Sequence, residues 1–181
     1  MNISVFCSSS PTIADKYLHL ASELGEAIGK RNWTLVSGGG HISAMGEVAR
    51  GARRAGGKTI GVIPQSLVDI EFADKESDEL HVVQDMRDRK GLIEKISDAF
   101  VVLPGGAGTL DELFDIWVAR FLKFHNKPIA ILDPFDLYRP LEDLIVHLEE
   151  HGFVKPGLRE LLHWSKEVDE MLDFFEVERI A

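Results

Sequence analysis

Ala99-Phe100-Val101-Val102-Leu103-Pro104-Gly105-Gly106-Ala107-Gly108-Thr109-Leu110-Asp111-Glu112 decides the fold of this chain. The apolar run from Ala99 to Leu103 predicts a strand buried on both faces. A glycine-rich turn follows, and a helical pattern opens at Thr109. Glycine lets a backbone turn sharply and approach a ligand closely. The first amides of the following helix lack intrahelical acceptors and attract phosphate. Glu112 stands one turn in. A phosphate cradle beside a carboxylate points to chemistry on a phosphorylated sugar or nucleotide.

Outward from this stretch, strands and helices alternate. Ile3 to Cys7 reads as a strand, followed by the loop Ser8-Ser9-Ser10-Pro11-Thr12. Ala14 to Lys30 carries a helical stripe of Tyr17, Leu18, Ala21, Leu24 and Ile28. Trp33 to Val36 is a second strand, ending in Ser37-Gly38-Gly39-Gly40, and Ala44 to Ala55 a second helix. Thr59 to Ile63 is a third strand, stopped by Pro64, and the acidic stretch 65–79 reads as a functional loop or a short helix. Leu80 to Val83 is a fourth strand, and Asp85 caps a helix from Met86 to Ser97. After the fifth strand come a long helix from Leu110 to Phe124, a strand from Pro128 to Leu132 and a helix from Leu137 to Glu150. The tail offers a short helix near Leu158 and another from Val168 to Phe175.

This alternation predicts an α/β fold: a Rossmann-like, doubly wound parallel sheet with helices on both faces, in a single domain over 1–181. Such sheets bind ligands at the carboxyl ends of their strands. Three loops leave those ends with suitable chemistry: Ser8 to Ser10, Gly38 to Gly40, and Gly105 to Thr109. The two glycine-rich loops are placed to meet at a switch point. No G-x-G-x-x-G follows the first strand, and no G-x-x-x-x-G-K-[ST] is present, so neither an ordinary dinucleotide site nor a P-loop is expected.

The 181 residues suffice for a sizeable core, and 45% hydrophobic with 28% charged residues is an ordinary globular balance. A net charge of −10 argues against a nucleic-acid partner, whose binding draws on Lys and Arg. No apolar run approaches the roughly 20 residues of a membrane span. Met1 to Phe6 lacks the basic start of a signal peptide. The single Cys7 fits a reducing cytoplasm and reads as a small buried strand residue.

Thr109-Leu110-Asp111-Glu112 has a second reading, as a capping box in which Thr109 starts the helix and Glu112 reaches back to its amide. Three glycines in the preceding turn exceed what a plain helix start needs. Arg87, Arg89 and Lys90 place three cations where a helix begins, against its macrodipole. A bound anion accounts for them, and Arg89 then reaches a phosphate, a purine edge or Glu112. His147 and His151 share a helix face, but Leu148 stands where H-E-x-x-H needs Glu, so that face is expected to be merely solvated. Leu113, Ile116, Trp117 and Phe121 on the long helix read either as core or as a dimer interface.

Together these residues resemble the Lonely Guy family of cytokinin riboside 5′-monophosphate phosphoribohydrolases. The pattern P-G-G-x-G-T-x-x-E is matched by Pro104 to Glu112 and M-x-x-R-K by Met86, Arg89 and Lys90. C-x-S-S is matched by Cys7, Ser9 and Ser10, and G-G-G-x-x-G-L-M-G in part, by Gly38, Gly39, Gly40, Met45 and Gly46. Ser43 and Ala44 replace the usual Gly-Leu, and Val118 stands where many relatives have threonine. The resemblance implies hydrolysis of the N-glycosidic bond of an adenosine 5′-monophosphate, plain or N6-prenylated, by a homodimer without metal or cofactor. Glu112 and Arg89 are the implied catalytic residues. Ser9, Gly39, Gly40, Glu71, Met86, Lys90, Gly105, Gly106, Ala107, Gly108 and Thr109 are the implied substrate contacts. Against the lysine-decarboxylase label that many relatives first carried, no separate pyridoxal-phosphate domain is visible. A non-catalytic nucleotide or cofactor carrier on the same fold is the competing reading.

Overall fold

A computed structural model describes residues 1–68, 70 and 72–180. In chain order the elements are β1 (Asn2–Phe6), α1 (Asp15–Lys30), β2 (Thr34–Ser37), α2 (Ser43–Arg54), β3 (Lys58–Pro64) and α3 (Gln65–Val68). Then come β4 (Glu79–Val83), α4 (Met86–Ile96), β5 (Ala99–Val102), α5 (Ala107–Phe121), β6 (Ile129–Leu132) and α6 (Arg139–Glu150). A 3₁₀ turn (Arg159–Leu161), β7 (Leu162–Ser165) and α7 (Val168–Ile180) complete the order.

The seven strands form one parallel sheet in the order β4-β3-β2-β1-β5-β6-β7. Parallel strands need crossovers, and the helices that supply them must cover both faces. Strand periodicity sorts the core accordingly. Ile3, Val5 and Cys7 join Leu24, Val48 and Phe175 from α1, α2 and α7 on one face. Phe6 joins Phe100, Val102, Ile93, Leu113, Trp117 and Ile145 on the other, under α4, α5 and α6. Full burial of each such side chain contributes on the order of 1.5–3 kcal/mol. Leu113, Ile116 and Trp117 are thus core.

The chain departs from the sequence expectations in three places. β7, Leu162-His163-Trp164-Ser165, has no apolar run to announce it; it is an edge strand pairing with β6 alone, with Leu162 and Ser165 buried. Pro64 does not stop β3 but ends it inside the ladder, opposite Val83. The long helix α5 starts at Ala107 and ends at Phe121, so Gly106 is its N-cap. Asp85 caps α4 as expected, its Oδ1 accepting from the amides of Arg87 at 2.8 Å and Asp88 at 2.9 Å. No described helix is long and apolar enough to cross a membrane.

Candidate active site

The order of the strands reverses beside β1, and there the loops after β1, β2 and β5 border one cavity of about 430 Å³. Its polar floor is Arg89 from α4 and Glu112 from α5; its apolar flank includes Ile42, Met45, Ile63, Leu67, Phe72 and Met86.

Arg89 is held at three points. Its Nε donates to the Val62 carbonyl at 3.1 Å and its Nη1 to Glu112 Oε1 at 2.8 Å. Its Nη2 lies over Gly38, where an added Cβ would sit 1.7 Å from it. Only glycine leaves room for that guanidinium. Arg89 is 7% exposed and Glu112 8%. Burial pushes the Glu112 carboxyl above its ordinary range, while Arg89 pulls in the other direction. A carboxylate buried at the foot of a cavity with one charge partner is the usual mark of a reactive site.

The capping-box reading fails. Thr109 lies inside the first turn of α5, and the Glu112 side chain turns to Arg89 instead of the Thr109 amide. Thr109 is buried, and its hydroxyl occupies the space a Cβ on Gly105 would need, 2.2 Å away. Among the described residues, the amides of Gly106, Ala107, Gly108 and Thr109 have no protein acceptor, and these four residues line the cavity. They form a helix N-terminus with its donors open to an anion.

Other residues singled out in the sequence lie differently. Ser9, Gly40 and Met86 border the cavity. Gly39, at φ +72°, packs toward Ile63 and Leu80, and Gly38 takes its place at the rim. The Gly105 amide donates to the Tyr138 hydroxyl at 2.8 Å and is thereby occupied. Lys90 pairs with Asp111 at 3.2 Å and Asp115 at 3.3 Å and does not line the cavity. Glu71 lies outside the described residues. Cys7 borders the cavity, but burial, with Glu112 adding to it, pushes its thiol far above the ordinary range, so it stays protonated. His147, Glu150 and His151 form a grouping of metal-type ligands, but all three are exposed on or just beyond α6 and none lines the cavity. Tyr138 and, on the apolar flank, Ile42, Ile63, Leu67 and Phe72 escaped the sequence reading, whereas Gly38, Met45 and Met86 were already marked by the G-G-G run and the family motifs.

The family described as "Possible lysine decarboxylase" matches residues 45–175. A cytokinin riboside 5′-monophosphate phosphoribohydrolase of Mycobacterium tuberculosis is 51% identical over 160 residues, 88% of this chain and 85% of that protein. This chain belongs to the Lonely Guy family. The enzyme of the same name from Mycobacterium marinum is 44% identical over 94% of this chain and 90% of its own length. Among solved structures, the molybdenum cofactor carrier protein of Chlamydomonas reinhardtii superposes with a TM-score of 0.73 at 26% identity, covering 99% of this chain and 98% of that one. The Lonely Guy pattern P-G-G-x-G-T-x-x-E thus spans, in this chain, the turn after β5, the open amides at the start of α5 and Glu112, and its M-x-x-R-K supplies the arginine that meets Glu112.

Proposed function

We propose that this chain is a phosphoribohydrolase of AMP-like nucleoside 5′-monophosphates, with or without an N6-isopentenyl group, releasing the free base and ribose 5-phosphate. The buried Arg89–Glu112 pair carries this reading, because it stands next to an open anion cradle. Binding alone needs the cradle; it does not need a desolvated carboxylate beside it.

In this reaction the C1′–N9 bond breaks with its electron pair going to the purine, and positive charge builds at C1′. The Glu112 carboxylate stabilises that charge and takes a proton from the attacking water. The water oxygen bonds to C1′, and the proton that Glu112 took from the water passes to the purine nitrogen, which restores the carboxylate. Arg89 keeps Glu112 aimed and stabilises the departing base. The amides of Gly106, Ala107, Gly108 and Thr109 hold the 5′-phosphate. Ser9, Gly40 and Met86 border the nucleotide, and the apolar flank suits a prenyl tail. Gly105, Gly39 and Lys90 support the site from behind. The phosphate is a handle and not the reacting group, so the chemistry requires no metal and no cofactor. The protein works in the cytoplasm as a homodimer, with Phe114 and Val118 on α5 and Leu122 at its C-cap, spaced four apart and exposed, as the face that a second copy covers.

The likeness to the molybdenum cofactor carrier favours a second reading, a non-catalytic carrier that uses the same cradle. An end-point chromatographic assay separates the two. Purified protein is incubated with AMP and, separately, with N6-isopentenyladenosine 5′-monophosphate. Free base from either supports the hydrolase. No base from folded protein leaves the carrier.

A further inference from the structure

Tyr138 precedes α6, on the far side of the sheet's middle from the glycine-rich loop of β2, yet its hydroxyl ends at the phosphate turn. The Gly105 amide donates to Tyr138 Oη at 2.8 Å. The phenol proton faces two carbonyls, Gly105 O at 3.0 Å and Leu103 O at 3.2 Å. Among the described residues no other side chain bonds the backbone of this turn. Pro104 has no N–H of its own to stiffen it. One phenol therefore holds both ends of the Leu103–Gly105 corner, immediately before the four open amides.

The phenol is itself held. Asp133 Oδ2 accepts the Tyr138 amide at 2.7 Å, and the Asp133 amide donates to Ser165 O at 3.0 Å. The ring is 5% exposed and packs with the core under α5 and α6. A brace thus runs from β7 through the end of β6 to the cradle. Burial raises the Tyr138 phenol above its ordinary range, so it keeps its proton.

We propose that Tyr138 is a positioning residue for the 5′-phosphate: its hydroxyl sets the angle at which the α5 amides meet the anion, without touching substrate. This rests on the reading of that cradle as a phosphate site. It separates binding from chemistry, because Tyr138 bonds neither Arg89 nor Glu112.

Tyr138→Phe tests it, since the ring and its packing stay while the hydroxyl goes. With AMP or its N6-isopentenyl analogue, KM is expected to rise about tenfold with kcat within about twofold of the parent. Calorimetry on the same folded protein is expected to show the same loss for AMP and none for adenine, which has no phosphate. An unchanged KM and AMP affinity, a fall in kcat alone, or an equal loss for adenine would overturn the proposal. If the parent protein releases no base, the hydrolase reading fails, and the comparison of AMP with adenine still decides the role of Tyr138. If the parent binds AMP no better than adenine, both fall.

Discussion

Arg89 Nη1 stands 2.8 Å from Glu112 Oε1, and neither residue is more than a tenth exposed. Two charges in so little water are costly to separate. Removing one partner of such a pair typically destabilises by about 3–5 kcal/mol, because the other is left buried and uncompensated.

Glu112→Gln keeps the shape and an acceptor for Arg89 while deleting the charge that meets C1′. Turnover is expected to fall by about 10²–10⁴-fold with the circular dichroism spectrum intact. Near-normal turnover in the folded variant would remove Glu112 from the chemistry.

The pH profile follows from the same burial. The Glu112 carboxyl sits above its ordinary value, first through desolvation, with Arg89 opposing. Activity that needs the carboxylate is lost as pH falls through this raised value, so the acidic limb of kcat/KM should lie above the ordinary value of about 4.3. Stability runs the other way. The folded state holds this proton more tightly than the unfolded chain, so the group favours the fold at low pH, and that contribution is lost as pH rises through the folded value. Asp111 also pushes Glu112 up, so Asp111→Asn should move the acidic limb to lower pH.

Gly38→Ala attacks the pair from outside. A Cβ 1.7 Å from Arg89 Nη2 displaces a head group already tied to Val62 O and Glu112. Turnover should drop at least about tenfold through misplacement of the guanidinium. Unaltered kinetics would show that Arg89 can shift without consequence.

Ser43 sits where the Lonely Guy pattern has glycine, and it keeps the glycine conformation, at φ +52°. Its hydroxyl donates to Ser10 O at 2.5 Å, tying α2 to the loop after β1. Ser43→Ala retains the strain and loses the bond, so a loss of about 1 kcal/mol is expected in denaturant unfolding. Ser43→Gly relieves the strain and should lose less. A larger loss for glycine than for alanine would contradict this account.

Val118 is 46% exposed between Phe114 at 40% and Leu122 at 54%. If this stripe joins two copies, Val118→Asp should convert a sedimenting dimer into a monomer. A monomeric parent protein would remove the stripe's role.

The layout was legible where residue type and turn chemistry agree. Five-residue apolar runs, Asp85 before α4 and the glycine-rich turn into α5 each admit few conformations, and the β-α alternation then leaves little choice of sheet. The Arg89–Glu112 contact was approachable for the same reason, since both residues open helices at one sheet edge. β7 was not, because an edge strand needs no apolar alternation and Leu-His-Trp-Ser shows none. The start of α5 was misread because Thr-x-x-Glu mimics a cap, and only the packing of Thr109 against Gly105 places it one turn further in. Tyr138 acts through one hydroxyl across 33 residues, a separation that no local pattern encodes.

The position of β1 also bears on how the chain is made. One edge of β1 finds its partner in β2, which is made soon after it, but the other waits for Ala99–Val102. At roughly 5–20 residues per second that delay lasts several seconds. Throughout it, the strand destined for the centre of the sheet presents bare N–H and C=O groups. A chain halted before residue 99 would carry that edge permanently, which makes truncated products natural clients of chaperones and seeds of aggregation.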